Sequence, residues 1–175
     1  MASSSSEKKK MVQLRSSDGQ TFEVSEKAIG AASATIKCMI DEEGCSAAVF
    51  PLPNVAAATL SRVLEYVNKH FDFDPAVTTP PDDDDGCSSY GPKDDDPLAR
   101  FDADFLSVDN DTLIDLVEAA NYLDIKKLLD LTCEAVADQM RGRTVDEIRK
   151  TFGIVNDYTK EEEEEVRREN SWAFT

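Results

Sequence analysis

An acidic, proline-rich segment in the middle of the chain sets the first limit on how this sequence can fold. Residues 72–97 contain nine aspartates, five prolines and one lysine, which together give a net charge of −8. Like charges repel one another and proline resists helix formation, so we predict a disordered insertion over 72–97. Any folded core must therefore be assembled from the parts of the chain on either side of this segment.

The part of the chain before the acidic segment combines short strands with helices. Three short β-prone runs are spaced along it: Val12–Arg15, Thr21–Val24 and Ala48–Pro51. The Asp18-Gly19 pair between the first two runs predicts a hairpin with a longer loop. Three helix-prone stretches accompany the strands: 25–31, 33–42 and 55–70, the last with apolar residues at i, i+3, i+4 spacing.

The part of the chain after the acidic segment is predicted to be helical. Asp109 is a favourable N-cap for a helix that continues to about Leu123. A second helix is predicted over Ile125–Met140, and Gly142 is placed to end it. Two capping-box patterns predict further short helices: Thr144-x-x-Glu147 and Thr159-x-x-Glu162. The fold class is therefore α/β (α+β), mostly helical, with short N-terminal strands.

Charge and hydropathy exclude several classes of partner. The chain carries a net charge of −17, whereas binding to nucleic acid needs clustered Lys and Arg. No apolar run approaches the roughly 18–20 residues of a membrane span. Residues 1–10 are rich in Ser and Lys and lack the apolar stretch of a secretion signal. We therefore expect a disordered tail at 1–10, no nucleic-acid partner, no membrane partner, and a location in the nucleus and cytoplasm.

The sequence holds no combination of residues that points to catalysis or metal binding. Its four cysteines include no C-x-x-C pair and are accompanied by one histidine, so we expect free thiols and no zinc site. No glycine-rich phosphate-binding motif occurs. His70 stands at the end of a predicted helix, where we interpret it as a capping or surface residue. We predict no catalytic residue, no metal and no cofactor.

The helix predicted over Ile125–Met140 has an unusually wide apolar face. Its apolar residues fill an arc of roughly 200°, whereas packing against a single core needs a stripe of about 100° or somewhat more. Either this chain buries the helix on two sides, or one side is left open for a partner. The sequence after residue 141 offers little apolar surface to cover the helix, which favours a partner.

The C-terminus raises a related choice between self-packing and binding. The helix predicted after Thr159 is polar nearly all round, and Val166 is its only large apolar residue. This helix nevertheless carries Trp172 and Phe174 to the end of the chain. Either these aromatic side chains fold back on the core, or the tail binds a partner, where tryptophan is strongly enriched among energetically dominant residues.

Longer stretches of the chain match one known family. The matching stretches are SSDGQTFEV at 16–24, PLPNV at 51–55, FDADFL at 101–106, EAANYLDIKKLLDLTCEAVADQM at 118–140, GRTVDEIRKTFGI at 142–154 and NDYTKEEEEEVRRENSWAF at 156–174. With these stretches the chain resembles the S-phase kinase-associated protein one family, the adaptor subunit of SCF-type cullin–RING ubiquitin ligases. The ending in WAF is similar to plant members of that family.

The resemblance implies a fold and a division of the chain. It implies a BTB/POZ-type fold with extra C-terminal helices. The BTB/POZ part would comprise an N-terminal portion at 11–71 and a helical completion at 98–140. Residues 141–175 would form the F-box-binding helices and tail.

The resemblance also implies a function and a set of contact residues. The family links the N-terminal domain of a cullin to F-box proteins, the substrate receptors, and it is not enzymatic. Asn121 and Tyr122 fall on its cullin-contacting positions. Its F-box-facing positions are matched by Leu129, Cys133, Val136 and Trp172. The alternative is a BTB-like scaffolding protein that binds F-box proteins without cullin or self-associates.

Overall fold

The computed structural model describes residues 10–43, 49–71 and 97–173. These residues form one three-stranded sheet and eight α-helices. They divide into two compact units, the first ending at Asp138 and the second beginning at Gln139. The mixed and mainly helical fold class predicted from the sequence is therefore confirmed.

Several predictions fall on residues outside the described ranges. The predicted acidic insertion lies outside them except for Pro97, which is the first residue of a helix. The predicted N-terminal tail lies outside them except for Lys10. Three further residues lie outside the described ranges: two of the four cysteines, Cys45 and Cys87, and Phe174 of the predicted aromatic tail.

The strands form a small sheet at the N-terminal end of the chain. Strands β1 (Met11–Arg15) and β2 (Thr21–Ser25) pair in antiparallel fashion, which confirms the predicted hairpin. Strand β3 (Val49–Pro51) pairs with β1 in parallel on its other side, so the order is β2-β1-β3. Leu14 lies opposite Phe50 in this pairing, and both side chains are buried in the core.

The predicted helices lie within two residues of their expected positions. The helices are α1 (Glu26–Ala32), α2 (Ala34–Glu43), α3 (Ala57–Phe71), α4 (Pro97–Phe105), α5 (Asn110–Tyr122), α6 (Lys126–Met140), α7 (Val145–Thr151) and α8 (Lys160–Glu169), followed by a short 3-10 helix, Ser171–Ala173. Asp109 caps α5 as expected, because its carboxylate accepts a hydrogen bond from the backbone N–H of Thr112 at 3.1 Å. Helix α4 was not predicted as a separate element.

Helix α3 is central to the first unit. Its buried apolar side chains recur at the spacing expected for one helix face: Leu60, Val63, Leu64 and Val67. Full burial of such a side chain contributes about 1.5–3 kcal/mol. This face packs against α1 and α5. The turn between β1 and β2 fixes its first residue, because the Asp18 carboxylate accepts a hydrogen bond from the backbone N–H of Ala57 at 2.9 Å.

His70 lies in the last turn of α3, as the sequence predicted, but its side chain is paired and largely covered. Its Nε2 lies 2.8 Å from Oδ1 of Asp102 on α4, and its side chain is only 14% exposed. The imidazole also stacks on the ring of Tyr66, with centroids 4.1 Å apart. The helix-end part of the interpretation is therefore correct, whereas the surface part missed the pairing because the partner carboxylate comes from α4, a helix that was not predicted. The pair joins the end of α3 to α4 across the acidic segment.

A left-handed residue makes the corner between α5 and α6. Asp124 has φ of +49°, which is unusual for a residue with a side chain. The backbone N–H of Asp124 donates to the carbonyl of Asn121 at 3.1 Å, and that of Ile125 donates to the carbonyl of Ala120 at 2.9 Å. These two bonds form a Schellman motif, which ends α5 and turns the chain into α6.

Substitutions at Asp124 should report on this backbone conformation. We expect Asp124→Val to lower the free energy of unfolding by about 1–2 kcal/mol, because a β-branched residue is strained at positive φ. Asp124→Gly should change it by no more than about 0.5 kcal/mol, since glycine adopts this conformation readily. Urea unfolding of both variants tests the prediction. Equal losses of unfolding free energy in the two variants would show that the carboxylate, and not the backbone conformation, determines stability at this position.

Candidate partner-binding surfaces

The first unit buries only the centre of the apolar arc of α6. Three side chains near the middle of the arc are fully buried: Ile125, Leu128 and Thr132. The hydroxyl of Thr132 donates to the carbonyl of Leu128 at 2.8 Å, so its burial leaves no unpaired polar group. Exposure rises from this centre toward both edges of the arc.

One edge of the arc is open enough to receive a partner. It consists of four residues at i, i+4, i+7 and i+11 spacing, which we call the α6 edge: Leu129, Cys133, Val136 and Met140. Cys133 and Met140 are exposed, whereas Leu129 and Val136 are half-buried. Leu129 also packs against the core. The expectation that one side of this helix stays open therefore agrees with the structure, although Leu129 serves the core as well.

The residues predicted to contact a cullin lie before the α5–α6 corner, whereas the α6 edge lies after it. Asn121 and Tyr122 are the last two residues of α5. Asn121 is exposed, whereas Tyr122 is half-buried and packs against the core. The two neighbours thus have different surroundings. Asn121 presents a side chain to solvent, and Tyr122 fixes the helix end from which Asn121 projects.

Helices α7 and α8 of the second unit each begin with a capping box, as predicted. In α7 the backbone N–H of Thr144 donates to Glu147 at 2.8 Å, while Glu147 N–H donates to the Thr144 hydroxyl at 3.4 Å. In α8 the same pair of bonds joins Thr159 and Glu162 at 2.9 and 3.3 Å. These caps let short helices begin where little apolar surface supports them.

Helices α7 and α8 are held together by polar contacts around one carboxylate. Glu163 of α8 lies 3.6 Å from the guanidinium of Arg149 on α7 and 3.3 Å from that of Arg167. It also accepts a hydrogen bond from Asn156 in the connecting loop at 3.4 Å. Ion pairs that solvent still reaches contribute about 0–1 kcal/mol each. The second unit is therefore fixed more by polar geometry than by apolar burial.

The second unit also exposes large apolar residues that were not predicted to be binding residues. They are Val145, Ile154, Val155 and Tyr158, and Val155 is 83% exposed. Ile154, Val155 and Tyr158 lie in the loop between α7 and α8, where no helical or strand period marks them. The only sequence signal for them is that three large apolar residues occur in one short loop. An exposed apolar group of this kind is typical of a binding surface.

Trp172 exposes most of its side chain. It lies in the 3-10 helix after α8, and 78% of its surface is exposed. This exposure favours the interpretation of the tail as a binding segment, which stays a prediction.

The described residues offer no grouping for metal chemistry. Within 10–43, 49–71 and 97–173, no three His, Cys, Asp or Glu side chains lie together as metal ligands would. Over the same ranges, no helix is both long and apolar enough to cross a bilayer. Cys38 and Cys133 are free thiols with exposed side chains.

Two family models match this chain. One, described as the tetramerisation domain of the Skp1 family, matches residues 10–72. The other, described as the dimerisation domain of the Skp1 family, matches residues 126–173. The first covers the sheet and helices α1 to α3. The second begins at the first residue of α6 and includes the α6 edge, both capping boxes and Trp172.

Full-length relatives are similar over almost the whole chain. SKP1-like protein 4 of Arabidopsis thaliana is 51% identical, and the match covers 96% of this chain and 98% of the relative. SKP1-like protein 20 of Oryza sativa subsp. japonica is also 51% identical, with 96% and 97% covered. The SCF ubiquitin ligase complex protein SKP1b of Dictyostelium discoideum is 48% identical, with 93% and 94% covered.

The two capping boxes predict a response of the second unit to acid. Hydrogen bonds from the backbone and hydroxyl of Thr144 and Thr159 hold the pKa of Glu147 and Glu162 below its ordinary value. Both carboxylates therefore stabilise the helices above the ordinary glutamate pKa of about 4.3. This stabilisation is lost as the pH falls through the lowered pKa of the folded state.

Carboxyl-detected NMR titration measures this directly. The titration midpoint of Glu162 should rise toward the ordinary value in a Thr159→Val variant, which lacks the hydroxyl donor. Glu147 should be unaffected by that change and serves as the internal control. The same Glu162 midpoint with and without the hydroxyl would mean that the second box does not form in solution.

Proposed function

Because the chain belongs to the Skp1 family, we propose that it is the adaptor subunit of an SCF-type ubiquitin ligase. It has the BTB/POZ-type fold that the resemblance implied, mostly helical with a three-stranded sheet. In this role it links a cullin to F-box proteins, which are the substrate receptors. Support comes from relatives such as the Dictyostelium protein, whose name places it in an SCF ubiquitin ligase complex.

The α6 edge is the observation that carries this proposal. This edge is a row of apolar residues on one side of the helix, half-buried at Leu129 and Val136 and exposed at Cys133. Such a row suits a partner that presents its own apolar side chains. We assign this row to the F-box protein. Trp172 and the exposed apolar loop residues of the second unit supply further area of the same chemistry.

The α5–α6 corner is assigned to the cullin. Asn121 is exposed there and can make polar contacts, and the half-buried Tyr122 follows it in the chain. Tyrosine is common among the residues that dominate binding energy. The cullin and F-box assignments thus fall before and after the same corner of the chain.

The proposed role requires binding and no chemistry from this chain. An adaptor that holds a receptor-bound substrate near a ubiquitin-charged enzyme raises the effective concentration of the substrate at that enzyme. The fold has to present two surfaces at a fixed separation for this purpose. We therefore assign no catalytic residue, no metal and no cofactor to the chain.

Self-association is the second candidate function. The matched family models are described as dimerisation and tetramerisation domains, which favours contacts between copies of the chain. A BTB-like scaffolding protein of this kind would bind F-box proteins without a cullin or form oligomers. Affinity purification from plant extract, with identification of the bound proteins, separates the candidates, because only the adaptor retains a cullin.

Cys133 is the most direct test of the F-box surface. Cys133→Asp places a charge where the partner would bury it, so we expect affinity for an F-box domain to fall about hundredfold or more. The free chain should keep its melting temperature because the side chain is exposed. Cys133→Ser serves as the matched control and should bind within a few-fold of the wild type. Unchanged binding by Cys133→Asp would remove the α6 edge from the interface.

Trp172 tests the contribution of the tail. Trp172→Ala should weaken F-box binding by about 2 kcal/mol, roughly thirtyfold, because a tryptophan anchor is lost. Residual binding should remain through the α6 edge, and the melting temperature should stay the same since the side chain is 78% exposed. Calorimetric titration with one F-box domain provides both affinities. A lower melting temperature with unchanged affinity would indicate a structural role instead.

Asn121 tests the cullin surface. Asn121→Lys should weaken binding to a cullin N-terminal domain by about tenfold or more, because a longer charged side chain is forced into the contact. F-box affinity should be retained. Asn121 is preferred over Tyr122 for this test because Tyr122 also packs against the core. Equal weakening of both partners would point to general damage to the fold.

A further inference from the structure

The end of α5 depends on hydrogen bonds from outside the helix. The last carbonyls of a helix have no partner within it. The backbone N–H of Leu123 donates to the carbonyl of Ala119 at 2.9 Å, and the two donors of the Schellman motif bond to the carbonyls of Ala120 and Asn121. The next three carbonyls, those of residues 122–124, lie at the proposed cullin contact and need other donors.

All three of these carbonyls accept hydrogen bonds from the start of α2. The pairs are Thr35 Oγ1 with the carbonyl of Tyr122 at 3.4 Å, Ser33 Oγ with that of Leu123, and Ala34 N–H with that of Asp124 at 3.5 Å. Two of these bonds are long and therefore weak, so the hydroxyl of Ser33 is the main donor. Ser33 and Leu123 are 90 residues apart in the sequence.

Ser33 joins three helix ends at one point. Its backbone N–H donates to the carbonyl of Ile29 at 2.8 Å and so caps the end of α1. Its hydroxyl oxygen accepts a hydrogen bond from the N–H of Ile36 at 3.1 Å, as an N-cap of α2 does. The same hydroxyl donates to Leu123 at the end of α5. The residue is fully buried, so no solvent is available to replace a lost bond.

We infer that Ser33, supported by Thr35, is a positioning residue for the cullin contact. Both hydroxyls hold the backbone that immediately follows Asn121, and they thereby set the direction in which Asn121 projects from the end of α5. A corner that is already fixed loses less freedom when the partner binds. This inference rests on the proposed function, because it takes the α5–α6 corner to be the cullin surface.

The test compares the two partners in one variant. In the full-length chain, Ser33→Ala should weaken binding to a cullin N-terminal domain about tenfold and leave F-box affinity within twofold of the wild type. Titrations are run at a temperature where circular dichroism shows the variant to be fully folded. Amide exchange at Asp124 and Ile125, the donors of the Schellman motif, should become faster in the same variant.

Two controls separate positioning from general stability. Ser16→Ala removes another buried hydroxyl, which donates to the carbonyl of Gln20 at 3.2 Å within the β1–β2 turn. It should leave both affinities unchanged. Thr35→Val and Thr35→Ser form a matched pair in which only serine keeps the hydroxyl. The valine variant should bind cullin about threefold more weakly, and the serine variant should bind as the wild type does.

The outcomes distinguish this inference from the proposed function. A wild-type chain that binds no cullin domain contradicts the proposed function, and the inference falls with it. If the wild type binds and folded Ser33→Ala binds equally well, or loses both partners to the same extent, only the inference is overturned. If Ser33→Ala does not fold, the Thr35 pair decides, and equal cullin affinity of Thr35→Val and Thr35→Ser overturns the inference.

Discussion

The corner between α5 and α6 is the constraint on which both proposed surfaces depend. Asp124 adopts a left-handed backbone conformation there, and the next residue, Ile125, is fully buried. With the helix ends fixed in this way, Asn121 projects before the corner and the α6 edge begins after it. An adaptor needs this kind of fixed relation between two contacts, because its effect on a reaction between bound partners comes only from how it holds them.

Burial is distributed unevenly between the two units. In the first unit, the centre of the α6 arc packs against the core, and this supplies the tertiary support that a helix of its length needs. The second unit depends on capping boxes and on the ion pairs of Glu163, while Val155 and Trp172 remain exposed. A segment with few buried apolar contacts opens more readily than a core helix does. The second unit is therefore expected to open more readily than the α6 helix of the first unit.

The sequence predicted the features that depend on neighbouring residues. The hairpin, the start of α5 at Asp109 and the two capping boxes arise from contacts within a few positions, so local patterns reveal them. The bond from His70 to Asp102 spans 32 residues, and that from Ser33 to Leu123 spans 90. No local period records such pairs, and both were missed.

The candidate site, like the fold, could be predicted only in part from the sequence. The width of the apolar arc indicated an open face on α6, and the family resemblance supplied the residues assigned to each partner. Neither could show that Leu129 and Tyr122 also pack against the core, since that depends on how distant elements meet. The exposed residues Ile154 and Val155 were missed because a loop has no period to mark them.

An SCF adaptor would hold a cullin and an F-box protein at the same time. Titration of a cullin N-terminal domain into the free chain, and then into a preformed complex with an F-box domain, tests whether this chain does so. We predict equal cullin dissociation constants within about twofold and a 1:1:1 assembly by light scattering, because the two contacts use different residues. Displacement of the F-box domain by the cullin, or binding of only one partner, would show that the chain does not bridge the two proteins.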